Sequence, residues 1–198
     1  VTTYRKPDVG REYPIKSLPT NDNFRHYKLG LQWGWNHNAD RSKWSLTEHA
    51  GYLRLYTANV TDSLHQAKNT LTQRILGYPQ DLEHSYGTVR MEIGEMQEGD
   101  VAGLAVFQDP YAFIGVKVID GQKRLVYTTA PVVSSAAKSE QIGEVVTEQV
   151  IYLRAIANYN TSRASFYYSL DNKTYTKFGD DLNMKYDLTV FTGNKFAI

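Results

Sequence analysis

Cysteine does not occur in this chain, and its absence removes disulfide bonds, thiolate nucleophiles and cysteine-ligated zinc together. Excess charge of one sign is missing too. Lys and Arg number 22 against 21 Asp and Glu, leaving +1, so there is no footprint for nucleic acid or an anionic membrane surface. No run of about 18 apolar residues occurs, and no membrane-spanning helix is expected. The five histidines, His26, His37, His49, His65 and His84, show no metal-binding spacing, which argues against zinc. Neither a glycine-rich phosphate loop nor a G-x-S-x-G elbow is present. Asp100, after Gly99, offers a single calcium-type oxygen and reads first as turn chemistry. No cofactor is therefore expected, with a structural calcium left open.

Aromatic residues are abundant by contrast. Tyrosine occurs 15 times, a residue suited to strands and to wet recognition surfaces. All three tryptophans, Trp33, Trp35 and Trp44, fall within Leu29-Gly-Leu-Gln-Trp-Gly-Trp-Asn-His-Asn38 and Lys43-Trp-Ser-Leu-Thr-Glu48. Such rings suit a partner with flat apolar faces and polar edges, a sugar or the inside of a sandwich alike.

Period-2 alternation dominates the chain. Leu29, Leu31, Trp33 and Trp35 alternate with Gly30, Gln32, Gly34 and Asn36. Leu53 and Leu55, then Val89, Met91 and Ile93, then Ile151, Leu153, Ala155 and Ala157 repeat the pattern, each a strand with one buried face. Segments 101–107 and 111–118 are nearly continuous apolar runs joined by Asp109-Pro110, expected as a central hairpin buried on both faces. Residues 165–170 and 174–178 form a hairpin across Asp171-Asn172-Lys173. Only 134–141 leans towards helix. The fold class is all-β, an antiparallel β-sandwich of roughly a dozen strands of jelly-roll type. Residues 1–23, with Pro7, Pro14 and Pro19, read as a linker from a preceding domain, and 24–198 as the sandwich. Val1 is not a natural start and no signal peptide is visible, so the chain reads as a piece of a longer protein.

Catalytic candidates are few. Glu92 and Glu95 invite comparison with sandwich glycosidases. Retaining hydrolysis needs two carboxyls about 5–5.5 Å apart on one face. Residues three apart on a regular strand face opposite ways, so the pair fails unless Gly94 forms a bulge. An autonomous sandwich hydrolase or lyase using Glu92 or Glu95 stays as the alternative reading. Gln73, Arg74, Arg90 and Glu92 are candidates for a sugar-binding face, set against an ordinary solvated one. Periodicity assigns Trp33 and much of Trp35 to packing, and Trp44 to the core. Asn36, His37 and Asn38 leave the strand as a loop, where functional residues concentrate.

Those motifs recur together with Gly51-Tyr-Leu-Arg-Leu55, Asn69-Thr-Leu-Thr-Gln-Arg74, Gly99-Asp-Val-Ala-Gly-Leu104, Phe166-Tyr-Tyr-Ser-Leu-Asp171 and Phe191-Thr-Gly193. The set resembles the C-terminal concanavalin A-like domain of glycoside hydrolase family 43 enzymes, the β-xylosidases and α-L-arabinofuranosidases. Tyr4-Arg-Lys-Pro-Asp-Val-Gly10 resembles the connector leaving their catalytic domain. The resemblance implies that the chemistry belongs to an N-terminal β-propeller, the partner in the same polypeptide, and that this chain is not itself an enzyme. It implies an accessory domain that packs on the propeller. In some relatives a loop aromatic closes the substrate pocket, and Phe191 matches it by position. Trp35, Asn36, His37, Asn38 and Phe191 are thus the expected interface with sugar or catalytic domain. Xylan or arabinoxylan oligosaccharides are the implied ligands, and a periplasmic or extracellular location the implied setting. The family usually continues past Lys195-Phe-Ala-Ile198 into a further strand, so a truncated C-terminus is expected.

Overall fold

The computed structural model describes residues 5, 7–12, 14, 19–58, 61, 63–76, 84–130, 138–186, 188, 190 and 192–198. Its strands are β1 (Trp33–Trp35), β2 (Trp44–Ser45), β3 (Arg54–Leu55), β4 (Leu71–Arg74), β5 (His84–Glu92), β6 (Val101–Phe107) and β7 (Tyr111–Ile119). They continue as β8 (Gln122–Ala130), β9 (Ser139–Val145), β10 (Val150–Asn158), β11 (Arg163–Ser169), β12 (Thr176–Lys177), β13 (Leu182–Asn183) and β14 (Lys195–Ala197). One sheet runs β1-β4-β14-β6-β7-β8-β9, a second β12-β11-β10-β5 with β13 beside β11, and β2 and β3 form a separate two-stranded ribbon. Every pairing is antiparallel. β14 lies between β4 and β6 and bonds to both, so neither is left as an edge there.

The core follows from the alternation. Ile151, Leu153, Ala155 and Ala157 are fully buried and meet Leu104, Val106, Ile114, Val116 and Leu125 of the opposing sheet, with Phe166 edge-on to Tyr127. Each large side chain removed from water contributes roughly 1.5–3 kcal/mol. β6 and β7 are buried on both faces as expected, because a second cluster of Ala105, Phe107, Tyr111, Ala130 and Ala197 sits on their other side. The hairpin between β11 and β12 also forms as expected, with Asn172 at φ 59.

Two expectations are corrected. The strand anticipated from Leu29 begins only at Trp33, because the Trp33 N–H donates to the Gly30 carbonyl and closes a turn. Leu31 lies in that turn, 104% exposed, and is no core residue. The helix-leaning patch fails where it is described: Ser139, Glu140 and Gln141 open β9, while 134–137 lie outside the described residues.

Trp33 and Trp35 sit on the edge strand, half-buried, with Gly34 between them exposed. Trp33 stacks on Phe24 at 5.6 Å, and its indole N–H donates to Asp22 Oδ2 at 2.7 Å. The Gln73 amide donates to the Thr20 carbonyl, so segment 20–24 is fastened to the sandwich. Removing the carboxylate in Asp22→Ala is expected to cost about 1–2 kcal/mol, as for a hydrogen bond to a charged group. Urea unfolding followed by tryptophan emission measures it, and an unchanged midpoint would mean that the bond is worth nothing net.

Candidate functional site

β1 ends at Trp35, and the chain turns outward through Asn36, His37 and Asn38. The Asn36 N–H donates to the Thr70 carbonyl at 2.9 Å, and its side-chain amide to the His65 carbonyl at 3.2 Å. His37 Nε2 meets that same carbonyl at 2.6 Å. A carbonyl only accepts, so this ring nitrogen carries the proton. Asp40 then accepts from the Ser42 amide and hydroxyl, caps the 3₁₀ turn Arg41–Lys43 and is held below the usual carboxylate range by those bonds.

His65 continues the network. It belongs to the 3₁₀ turn Leu64–Gln66, capped by Ser63, and packs on Phe107 and Tyr111 at 4.9 and 5.0 Å. Its Nε2 donates to the Gln108 carbonyl at 2.7 Å and its Nδ1 accepts from Ser63 Oγ at 2.9 Å. Gln108 is fully buried. Its amide nitrogen donates to the carbonyls of Val190 at 3.1 Å and Thr192 at 2.7 Å, and its Oε1 accepts from the Asp109 N–H. An unbroken hydrogen-bonded chain therefore joins the Asn36–His37 loop to the turn either side of residue 191. Phe191 itself lies outside the described residues. Neither His65 nor Gln108 was a sequence candidate.

Two clefts flank this network. One of about 850 Å³ is lined by Trp35, His37, Asn38, Arg41, Trp44 and Tyr27 among others. Trp35 and Trp44 meet there at 5.2 Å, and the Trp44 indole nitrogen is buried without a hydrogen-bond partner among the described residues. Trp44 is half-buried, less enclosed than the core position expected. The second cleft, about 540 Å³, lies between Arg74, Lys195, Tyr159, Tyr186 and Thr192–Asn194. Burial, and then the neighbouring Arg74, lower the pKa of Lys195.

The proposed face of Gln73, Arg74, Arg90 and Glu92 does not exist as one surface. Gln73 and Arg74 belong to β4 and Arg90 and Glu92 to β5, which stand in different sheets. Arg90 bonds Glu92 at 3.0 Å and lies 5.3 Å from the Tyr52 ring. The Tyr52 hydroxyl, then the Arg90 guanidinium, hold the Glu92 carboxyl below its usual range. A glycosidase acid needs the opposite shift. β5 pairs with β10 without a register shift through Glu92, and Glu95 lies beyond its end, 3.1 Å from Arg54. Glu92 and Glu95 are thus engaged by different cations. Asp100 Oδ2 accepts from the Gln97 N–H at 2.9 Å, as a turn residue does. Among the described residues no three His, Asp or Glu side chains gather as metal ligands.

The fold and its loop network define a concanavalin A-like β-sandwich domain. Residues 21–198 match the family described as the β-xylosidase C-terminal concanavalin A-like domain, and the chain belongs to it. It is 28% identical to a β-xylosidase of Formosa agariphila over its whole length, yet spans only 34% of that protein. Among solved structures it resembles a bifunctional GH43-CE protein of Bacteroides eggerthii, with 38% identity, TM-score 0.80, and coverage of 89% of this chain and 22% of that one. It also resembles a GH43 glycoside hydrolase engineered to display both endo-xylanase and exo-arabinofuranosidase activity, with 32% identity, TM-score 0.81, and coverage of 98% and 39%.

Proposed function

We propose that this chain is the non-catalytic accessory domain of a xylan-degrading glycosidase. It packs on a catalytic β-propeller of the same polypeptide and completes the rim of its substrate pocket. The observation that carries this reading is the hydrogen-bonded chain Asn36/His37–His65–Gln108–Val190/Thr192. It ties the loop after Trp35 to the backbone at Val190 and Thr192, as a composite rim requires. Engagement of Glu92 and Glu95 by arginines, with Glu92 held ionised, supports assigning no reaction to this chain. The cleft beside Trp35 and Trp44, with aromatic walls and the amide of Asn38, has the chemistry to hold a neutral xylan oligosaccharide.

In the full-length enzyme, Phe191→Ala is expected to raise KM for a xylo-oligosaccharide about fivefold, which is ~1 kcal/mol of lost binding. Steady-state kinetics on the parent polypeptide measures this. Unchanged kinetics would leave the domain a purely structural partner.

A further inference from the structure

The outward face of the five-strand sheet carries two cations paired with carboxylates and, among the described residues, two that are not, Arg154 and Arg163. Arg90 pairs with Glu92 at 3.0 Å and Lys177 with Asp181 at 2.7 Å. Arg154, on β10 between them, has no carboxylate within ion-pair distance among the described residues. Its Nε–H donates to Thr88 Oγ1 at 2.8 Å. Its guanidinium carbon lies 3.7 Å from the centroid of the Tyr175 ring and 5.3 Å from that of Tyr86. Strand order puts the two tyrosines on opposite sides, since Tyr86 is on β5 and Tyr175 enters from the hairpin beyond β11.

That hairpin is itself fixed. Asp171 Oδ1 accepts from the N–H groups of Lys173 and Thr174 at 2.8 and 2.9 Å, and the Tyr175 hydroxyl donates to Asn172 Oδ1 at 2.6 Å. The guanidinium plane is therefore set by a hydrogen bond and aromatic contacts before any ligand arrives. Among the described residues only one of its five donors is spent, and the two terminal nitrogens remain for a planar anion, which a guanidinium grips bidentately. Tyr86, 50% exposed, adds an apolar face beside it, and Tyr152 and Tyr167 stand opposite Arg90 and Arg154 in the ladders. A carboxylate beside a stackable ring is the chemistry of a uronic acid in a glycan.

The geometry points to Arg154 as the carboxylate-binding residue of a glycan-contact face, whose ligand is a xylan chain bearing a uronic-acid branch. This rests on the reading of the chain as part of a xylan-degrading enzyme, and it concerns the five-strand sheet, apart from the Gln108 network. Arg90, a candidate from sequence, is neutralised by Glu92 and does not supply the charge.

Calorimetric titration of the 198-residue chain tests it, using a xylo-oligosaccharide with one glucuronic acid branch and the unbranched oligosaccharide of equal length. The branched ligand is expected to bind at least tenfold tighter, with the advantage shrinking as salt is raised. Arg154→Gln, checked for an unchanged melting temperature, brings the branched ligand to the unbranched level. Tyr86→Ala weakens both ligands. Equal binding of the two oligosaccharides, binding of neither, or an Arg154→Gln variant that keeps the preference would overturn the assignment. So would equal affinity for a glutamate peptide of the same charge. None of these results would alter the kinetics of Phe191→Ala, so the two readings fail separately.

Discussion

A Gln108→Leu chain is expected to unfold at lower urea concentration, with a loss of about 2–4 kcal/mol, and to be cut faster by protease near residues 188–194. Gln108 has no exposed surface, and among the described residues its side chain answers three backbone groups: the carbonyls of Val190 and Thr192 and the N–H of Asp109. Leucine matches the volume but answers none of them. A buried polar group stripped of its partner costs roughly 1–3 kcal/mol. The carbonyl of exposed Thr192 recovers water, which keeps the total below three full penalties. The His65 bond goes to the backbone carbonyl of Gln108 and survives the change, so the effect isolates the turn from the Asn36–His37 loop. Gln108→Glu separates packing from bonding, because it keeps the shape while setting acceptors against two carbonyls. If Glu and Leu both leave the urea midpoint and the cleavage rate unchanged, the turn does not depend on this side chain.

Why Gln108 escaped notice in the sequence is instructive. It ends a nearly continuous apolar run, where a lone glutamine reads as the start of a turn. Its partners lie 82 and 84 residues away, beyond any periodicity. His65 was equally opaque, since its role depends on Phe107 and Tyr111 beneath it. The strands were legible because each buried face is written every second residue, as in Ile151, Leu153, Ala155 and Ala157. Alternation also overextended twice: Leu29-Gly30-Leu31 continues the pattern on paper, but Gly30 admits a turn and Leu31 faces water, and Leu55, expected on a buried face with Leu53, is exposed in the two-residue β3.

Alternation gives the face of a residue within its strand, and is silent on which sheet the strand joins. Arg74 and Arg90 lie on successive strands, yet β4 and β5 belong to different sheets, so the anticipated sugar face dissolved. The same gap hid Arg154. In sequence it is one polar residue in an alternating strand, indistinguishable from solvated surface. Tyr175 and Tyr86 reach it only through the strand order β12-β11-β10-β5. The exit from β1 into Asn36, His37 and Asn38 was legible, because the alternation stops there.

Gly179→Ala is expected to destabilise the chain by about 2–4 kcal/mol, from two separate causes. Gly179 has φ +83, where any residue with a Cβ pays roughly 1 kcal/mol. The added carbon would also overlap Cγ, Cδ2 and Cδ1 of the Tyr127 ring, the farthest of the three at 2.6 Å. Tyr127 cannot yield cheaply, being 4% exposed and packed edge-on against fully buried Phe166 at 5.4 Å. Overpacking of this kind costs about 1–3 kcal/mol. A second readout comes from the phenol. Burial, then the charges of Asp180 and Asp181, push the Tyr127 pKa up to about 12. Its contribution to stability is complete below the free-tyrosine value of about 10 and is lost as pH rises towards 12, on the order of 2 kcal/mol. If alanine displaces the ring towards water, that alkaline loss shrinks in the variant while stability at neutral pH falls. Urea unfolding at pH 7 and pH 11 measures both. A variant as stable as the parent at pH 7 would mean that the 178–180 turn shifts away and the ring contact is not held by the core.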